Sequence, residues 1–260
     1  MFRALHAAAT GMQAQQTNID VIANNMANVN TTGFKKSRAE FQDLLYQTIR
    51  APGGQTGTGA SAPAGLQVGL GVRTAATQAL HAQGTLQQTS NPLDIAIEGN
   101  GFFQVQRPNG DMAYTRAGNL KTDADGRLVT SDGFPIEPTI TIPVDATNIT
   151  ISSTGMISVT QPNQANAVEV GQLQIANFAN PGGLLSTGRN LYTATAASGQ
   201  AFIVNPGEQG TGSVSQGFLE GSNVEVVNEM IDLIASQRAY EVNQRVVTAA
   251  DEMLRKTSER

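Results

Sequence analysis

Residues 5–29 read LHAAATGMQAQQTNIDVIANNMANV, and the spacing of their apolar side chains decides the fold at this end of the chain. One series recurs every seven residues, and a second follows it three positions later with the same period. Together they form the a and d stripe of a coiled-coil helix. The pattern predicts a helix from 3 to 29 that stops near 30–33, because Gly33 can take the left-handed backbone that ends a helix. The stripe consists of Leu5, Met12, Ile19, Met26, Ala8, Gln15, Ile22 and Val29.

The other end of the chain, residues 222–260, carries a second stripe with the same period. Ser222 or Asn223 is the expected N-cap of this helix, and Arg255 and Lys256 suit the negative end of its dipole. Many seam positions hold alanine or valine, which bury less area than leucine or isoleucine at about 25 cal/mol per Å². The seam is formed by Ala235, Val242, Ala249, Ala239, Val246 and Met253, and it is flanked by Leu233, Tyr240, Val247 and Leu254.

The middle of the chain has a different pattern. Residues 51–65 are rich in Gly, Pro, Ser and Thr and predict a flexible or extended loop. From 66 to 220, short β-type segments alternate with Gly, Pro, Asn and Asp turns, with strands expected at 102–106, 140–142, 149–151, 156–159 and 168–175. Asp123–Gly126 is expected to turn a hairpin between 120–122 and 127–130.

These zones predict an α+β fold, in which long N- and C-terminal helices form a coiled-coil-like pair and an all-β domain is inserted between them with an extended loop segment. We expect a helical domain of 1–30 and 224–260, a connector of 31–92 and 210–223, and a β domain of 93–209. The seams are too narrow and weak to form a core alone. Uncharged side chains such as Asn18 also suit a crowded helix interface, which favours completion by other copies. The alternative is an intramolecular helical hairpin that caps the β domain.

Composition excludes several classes of protein. The net charge is −5 and charged residues make up 14% of the chain, against about 25% in an average domain, which argues against a nucleic-acid binder. There is no cysteine and there are two histidines, so thiol catalysis and a multi-His metal site are excluded. No apolar run is long enough to span a membrane, and no cleavable signal peptide is recognisable. We expect no enzyme activity, no cofactor and no metal.

Two acidic patterns were weighed as chemical sites. Asp123-Ala124-Asp125-Gly126 imitates the start of a calcium loop, but Arg127 occupies the fifth position, where a ligand is required. Asp94 and Glu98 could flank a glycosidic bond, although solvated turn carboxylates are the simpler interpretation.

A resemblance to a known family rests on six blocks of sequence. Residues 18–35, NIDVIANNMANVNTTGFK, closely resemble the amino-terminal signature of the flagellar rod and hook family, and 41–50, FQDLLYQTIR, are similar to its distal-rod branch. The blocks GNGFFQV at 99–105, YTRAGNL at 114–120 and GFLEGSNV at 217–224 agree with the same family. QRAYE at 237–241 does so as well.

The resemblance implies a structural subunit of the bacterial flagellar distal rod, which self-assembles into a rigid tubular drive shaft and transmits torque from motor to hook. It implies export through the flagellar type III apparatus, and a rod in the periplasm that reaches the outer membrane. The implied partners are further copies in a helical polymer, other rod subunits, hook or hook-junction proteins, and the periplasmic and outer-membrane ring proteins. A proximal rod or hook subunit is the alternative within the family, and a carbohydrate-binding protein or adhesin with a helical stalk is the alternative from another class.

The expected sites are structural. The expected assembly interface comprises Leu5, Met12, Ile19, Ile22, Asn24, Asn25, Met26, Asn28, Val29, Leu233, Ala239, Tyr240, Val242, Val246, Val247, Met253 and Leu254. The expected rod-stiffening loop contains Pro52, Gly53, Gly54, Gly57, Gly59, Pro63 and Gly65.

Overall fold

A computed structural model describes residues 2–51, 64–162 and 167–258. One long helix stands near each end of the chain, α1 (Phe2–Ala27) and α2 (Val226–Ser258), and β-strands fill the sequence between them. The α+β class is therefore confirmed. The chain divides into two compact units. Unit 1 comprises 1–26, 37–78 and 225–260, and unit 2 comprises 27–36 and 79–224. The three-part division into helical domain, connector and β domain stays a prediction.

α1 ends at Ala27, earlier than expected, and a turn follows it. Gly33 does have a left-handed backbone, with φ of +71°, but the prediction that it ends the helix is wrong. A Cβ on Gly33 would lie 2.7 Å from the backbone of Arg116 and Ala117. Its N–H donates to the Glu220 carbonyl at 2.8 Å. Glycine is required there because two segments of unit 2 approach each other closely.

α2 begins at Val226 and ends with Arg255 and Lys256 in its last turn, as expected. Neither expected N-cap residue caps it. The Asn223 side chain instead accepts the N–H of Lys36 at 2.8 Å and donates to the carbonyl of Leu80 at 2.8 Å. The Asn223 side chain therefore forms its hydrogen bonds within unit 2, and α2 begins after it, at Val226.

The described part of unit 1 contains four strands besides the helices: β1 (Ser37–Asp43), β2 (Tyr46–Arg50), β3 (Leu66–Gly69) and β4 (Val72–Ala79). β1 pairs with β4, and β2 pairs antiparallel with β3. Sequence analysis expected no strand before residue 66, so β1 and β2 were missed. β2 is exposed along its whole length and β1 over most of its length, so neither shows the alternation that marks a half-buried strand.

The strands of unit 2 are β5 (Leu86–Gln88), β6 (Ile95–Glu98), β7 (Phe102–Gln106), β8 (Met112–Thr115), β9 (Lys121–Thr122), β10 (Leu128–Val129), β11 (Ile136–Glu137), β12 (Asn148–Ile151), β13 (Met156–Thr160), β14 (Val168–Gln172), β15 (Ile175–Asn177), β16 (Leu185–Ser186), β17 (Leu191–Thr193), β18 (Phe202–Val204), β19 (Ser213–Gln216) and β20 (Phe218–Glu220). The largest sheet has the order β16-β17-β8-β7-β15-β18, with β11 also on β7. β12-β13-β14 form a second sheet, while β6 pairs with β19 and β5 with β20.

The expected hairpin around Asp123–Gly126 is confirmed, because β9 pairs antiparallel with β10 across it. Arg127 bonds Asp123 at 3.1 Å and Asp125 at 3.0 Å, so a guanidinium already engages both carboxylates. The strand expected at 140–142 is wrong, since only a single bridge from Thr141 to Arg127 forms there. The strand expected at 168–175 is interrupted and forms β14 and β15.

The core of unit 2 lies between its sheets. Isoleucines such as Ile97, Ile157 and Ile175 and the ring of Phe103 are fully buried in one cluster. A second cluster is aromatic and contains Phe102, Tyr114, Phe178 and Tyr192. Among the described residues, no helix has a stretch long and apolar enough to cross a membrane.

Candidate assembly surface

Three contacts join α1 to α2 within unit 1, and they are evenly spaced. The Asn18 amide donates to the Ser236 hydroxyl at 2.8 Å, and the Asn25 amide donates to the Glu229 carboxylate at 3.1 Å. A Cβ on Gly11 would come within 3.1 Å of the Asn243 side chain. The positions advance by seven on α1 while they recede by seven on α2. The two helices therefore run antiparallel with a heptad spacing.

Asn25 makes the most extensive of these contacts and is 2% exposed. Its side-chain oxygen accepts the N–H of Ser37 at 2.9 Å, and its amide donates to the Ser37 carbonyl at 2.9 Å. The carboxamide thus pairs with one residue of β1 as a neighbouring strand would, while the same amide also reaches Glu229. Because its polar groups are used inside the chain, Asn25 ties α1, α2 and β1 together.

The contacts use positions next to the predicted stripes. On α1, Gly11, Asn18 and Asn25 each precede a member of the a series by one residue. The expected interface residues divide by burial into three groups. Ile22 and Asn25 are buried. Leu5, Met12, Ile19, Met26, Asn28, Val29, Leu233, Ala239, Val247 and Leu254 are half-buried, and Asn24, Tyr240, Val242, Val246 and Met253 are exposed. Their role between copies stays a prediction.

The first turns of α2 present large apolar side chains to solvent. Ile231 is 58% exposed and Val227 is 70% exposed. We call this surface the α2 apolar face, and it consists of Val226, Val227, Met230, Ile231 and Ile234. None of these residues belongs to the predicted assembly interface, because that prediction follows a narrow heptad seam. The signal that could have found them is a wider apolar face, with large side chains three and four residues apart.

Further exposed apolar side chains lie on or next to the hairpin of β2 and β3. They are Leu45, Tyr46, Ile49 and Leu66, and we call them the hairpin apolar residues. Leu45 is 85% exposed, and the other three are each more than half exposed. Of the expected rod-stiffening loop, Gly65 is described and exposed, immediately before β3. Pro52, Gly53, Gly54, Gly57, Gly59 and Pro63 lie outside the described residues.

The described residues offer little for chemistry. They contain no group of three or more His, Asp or Glu side chains that could hold a metal ion. Asp94, one of the two carboxylates weighed for glycoside hydrolysis, accepts a hydrogen bond from the Asn91 amide at 2.9 Å.

Comparison with known proteins identifies the relatives of this chain. A family model described as "Flagella basal body rod protein" matches residues 5–35. A model for the "Flagellar hook protein FlgE/F/G D1 domain" matches 96–159, and one for the "Flagellar basal body rod FlgEFG protein C-terminal" matches 215–260.

Three curated relatives show the extent of the similarity. The flagellar basal-body rod protein FlgG of Agrobacterium fabrum is 52% identical over 252 residues, which cover 96% of both chains. FlgG of Caulobacter vibrioides is 50% identical over 258 residues, covering 99% of this chain and 98% of the relative. The flagellar hook-basal body complex protein FlhP of Bacillus subtilis is 32% identical over 267 residues, covering 98% of this chain and 97% of the relative.

Proposed function

The chain belongs to the FlgG family of flagellar basal-body rod proteins and is a structural subunit of the distal rod, and we propose that it builds the rod by burying its exposed apolar side chains against neighbouring copies. In this proposal the polymer is a rigid tube that carries torque from motor to hook. The chain is a structural protein and catalyses no reaction.

The α2 apolar face carries the proposal. Each of its five residues is more than 40% exposed in a single chain, and they occupy adjacent turns of one helix. Burial of apolar area contributes about 25 cal/mol per Å², so covering these side chains favours association. Contiguous exposed apolar surface of this kind marks an interaction site. Because the relatives are rod proteins, the proposed occupant is a second copy of this chain.

The hairpin apolar residues are a second exposed apolar region of unit 1. With apolar side chains exposed on α2 and on the hairpin, one copy could use one region towards a preceding copy and the other towards a following copy. Such a heterologous contact need not close into a ring, and it generates a helical filament when it does not. We further propose that Val242, Val246 and Met253, which are exposed on α2, contribute to these contacts.

The coiled-coil-like pairing of α1 with α2 and the insertion of the β domain between them also belong to this proposal. The evenly spaced contacts of Asn18 and Asn25 support the pairing. We propose that 1–30 and 224–260 form the inner tube, that 31–92 and 210–223 connect it, and that 93–209 face outward. The loop that contains Pro52–Gly65 would brace neighbouring copies.

Membership of the family also bears on the partners and the cellular location of the chain. The chain is a basal-body protein. We propose that it is exported by the flagellar apparatus, that it meets other rod subunits and hook or hook-junction proteins at the rod ends, and that it turns inside the periplasmic and outer-membrane rings. Restoring motility to strains that each lack one rod or hook protein tests the position. Rescue of the distal-rod strain alone is expected, and rescue of a proximal-rod or hook strain would favour that alternative.

The experiment that tests assembly removes apolar area without removing the fold. The double variant Ile231→Ser, Ile234→Ser is compared with Val144→Ser, since Val144 is 90% exposed in unit 2 and lies outside the proposed contacts. Polymer formation is followed by sedimentation, and motility is scored in a strain without its own distal-rod protein.

The double variant is expected to remain folded by circular dichroism, to lose polymer formation and to leave cells non-motile. Val144→Ser should behave as the unchanged protein. A double variant that still polymerises and supports swimming would refute the role of the α2 apolar face.

A further inference from the structure

Three charged side chains from distant parts of the sequence meet inside unit 2. Lys35 Nζ lies 2.5 Å from Glu220 Oε1, and Arg116 Nη1 lies 3.3 Å from Glu220 Oε2. None of the three side chains is more than 2% exposed. One carboxylate therefore bridges two cations, and we call Lys35, Arg116 and Glu220 the charge cluster.

Backbone groups supply further hydrogen-bond partners to these charges. Lys35 Nζ also donates to the carbonyl of Ala82 at 2.8 Å, and Arg116 Nη2 donates to the carbonyl of Gly99 at 2.6 Å. The N–H of Gly84 donates to Glu220 Oε1 at 2.9 Å. Each charged group thus has at least two partners, as buried charges require, although Arg116 Nε has no hydrogen-bond partner.

The surroundings of the charge cluster are buried and partly aromatic. The guanidinium of Arg116 lies over the ring of Phe102, with its carbon 5.4 Å from the ring centroid. Burial lowers the pKa of Lys35 and of Arg116, and burial raises the pKa of the neighbouring Tyr192 to about 12. Buried ion clusters are often no more stabilising than well-packed apolar residues of similar size. Total stability alone is therefore a weak explanation for this arrangement.

The position of the charge cluster gives a better explanation. Lys35 lies in the segment 27–36, which follows α1, and Glu220 ends β20, shortly before α2. Neighbouring backbone bonds reinforce both attachments: the Gly33 N–H donates to the Glu220 carbonyl at 2.8 Å, and the Lys36 N–H donates to Asn223 at 2.8 Å. Both segments through which the chain leaves unit 2 towards the terminal helices are thus held at one point.

We propose that Lys35, Arg116 and Glu220 are positioning residues that fix the two segments of unit 2 next to α1 and α2 in sequence to the β-strands of that unit. They form a joint through which load passes between the β unit and the terminal helices. The positioning of these segments is a property of the subunit alone, whereas the transmission of load rests on the proposed function. The sequence blocks that carry the family resemblance then share an internal role, because Lys35, Arg116 and Glu220 each lie in a different one of them.

The first test measures hydrogen exchange in the full-length chain carrying Glu220→Gln. The substitution keeps the shape of the side chain but places an amide against a cation. The amides of Gly33 and Gly84, which bond the backbone and side chain of Glu220, are expected to exchange at least tenfold faster. The Leu128 amide, which donates to the Ile140 carbonyl at 3.0 Å in the same unit, should change less than twofold. Equal acceleration of all three amides, or no acceleration, would overturn the joint.

Two further variants keep the test decisive if Glu220→Gln folds poorly. The triple variant Lys35→Met, Arg116→Met, Glu220→Leu replaces the charges with apolar side chains, and it should protect Leu128 fully while leaving Gly33 and Gly84 poorly protected. The matched control is Arg127→Met, which removes two exposed ion pairs from the same unit. It should leave Gly33 and Gly84 unchanged, and accelerated exchange of both in this control would count against a specific joint.

The transmission of load is tested separately, by the swimming speed of cells at increasing viscosity. Cells that express Glu220→Gln or the triple variant are expected to assemble rods and swim in dilute medium, but to lose speed more steeply than unchanged cells as viscosity rises. If the Gly33 and Gly84 amides are loosened and swimming is unaltered at every viscosity, the cluster positions the segments without carrying load, and that part of the proposal is wrong. Loss of rods altogether would also overturn it, since assembly would then depend on the cluster.

Discussion

Unit 2 buries its large apolar side chains, whereas the residues buried in the helices of unit 1 are small or polar except for Ile22, and several large ones are exposed. The core of unit 2 holds residues such as Phe103 and Ile97, which have no exposed surface. In the helices the buried residues include Ala14, Asn25 and Ser236, while Ile231 is 58% exposed. The hydrophobic effect therefore supports unit 2 from within one chain. Unit 1 has much of its apolar area still available for association.

The largest effect is expected in the core of unit 2. Phe103→Ala removes a fully buried ring from the main cluster and should destabilise unit 2 by about 3–5 kcal/mol, through lost burial and the cavity left behind. Urea unfolding of the purified chain measures the change. Phe202→Ala serves as the control, since Phe202 is 61% exposed on β18 of the same unit. Similar losses in both variants would show that unit 2 does not depend on its inner cluster.

The next effect concerns pH and His81, which also belongs to unit 2. Its ring lies edge-on to Phe102 and Tyr192, with centroids 5.3 and 5.4 Å away. Burial, followed by the positive charges of Lys35 and Arg116, lowers the pKa of His81 from 6.5 to about 4. Between these two pH values the imidazole of His81 is mostly protonated in the unfolded chain and mostly neutral in the folded chain. Stability is therefore complete above pH 6.5, falls as the pH is lowered, and is reduced by about 3 kcal/mol below pH 4.

His81→Phe isolates this contribution, because carboxylates elsewhere also titrate in acid. The charges that act on the imidazole, Lys35 and Arg116, and the rings of Phe102 and Tyr192 beside it are unchanged in the variant. The free energy of unfolding is measured from pH 7.5 to pH 4 in both proteins. The unchanged protein should lose about 3 kcal/mol more than the variant over this range, and parallel curves would assign the acid sensitivity to other groups.

A smaller effect is expected at the polar contacts of unit 1. Asn25→Ala removes the hydrogen bonds to Ser37 and the contact with Glu229, which is 5% exposed. The polar groups of Ser37 and Glu229 then lose this partner, which should lower the free energy of unfolding of unit 1 by about 2 kcal/mol. The measurement is the hydrogen-exchange protection of the α1 and α2 amides. Gln16→Ala, at an exposed position on the same helix, should be close to neutral. An equally small change at Asn25 would mean that the helices do not depend on this residue.

The smallest effect is expected on the α2 apolar face in the free chain. Ile231→Ala should change the stability of the monomer by no more than about 0.5 kcal/mol, because its side chain is mostly in water. Unfolding at concentrations too low for association provides the measurement. A loss above 2 kcal/mol would show that Ile231 is already packed within the chain, and the contrast between the two units would then be wrong.

The sequence predicted features that leave a local signal. Both terminal helices follow from their apolar period, and the hairpin follows from the turn residues Asp123–Gly126. The contacts between α1 and α2 were not predictable in the same way, because asparagine, serine and glutamate are invisible to a search for apolar periodicity. β1 and β2 were missed for a related reason, since exposed strands lack alternation.

The charge cluster could not be foreseen from the sequence either. Lys35 and Glu220 are 185 positions apart, and nothing near either residue indicates that a fully buried cation and carboxylate belong together. Only the pairing of β5 with β20, and the approach of Gly33 to Arg116, bring them to one place. The α2 apolar face had a local signal, but it was broader than the heptad seam that was sought.

The asparagine contacts between α1 and α2 have a consequence for the medium in which the molecule works. Dissolved salt weakens attractions between opposite charges, and its screening length shrinks from about 10 Å at 0.1 M to about 3 Å at 1 M. Asn18 and Asn25 are neutral and act through hydrogen bonds of 2.8 to 3.1 Å. These contacts offer no pair of opposite charges to be screened. The contribution of these two asparagines to the pairing of the helices should therefore change little with salt concentration.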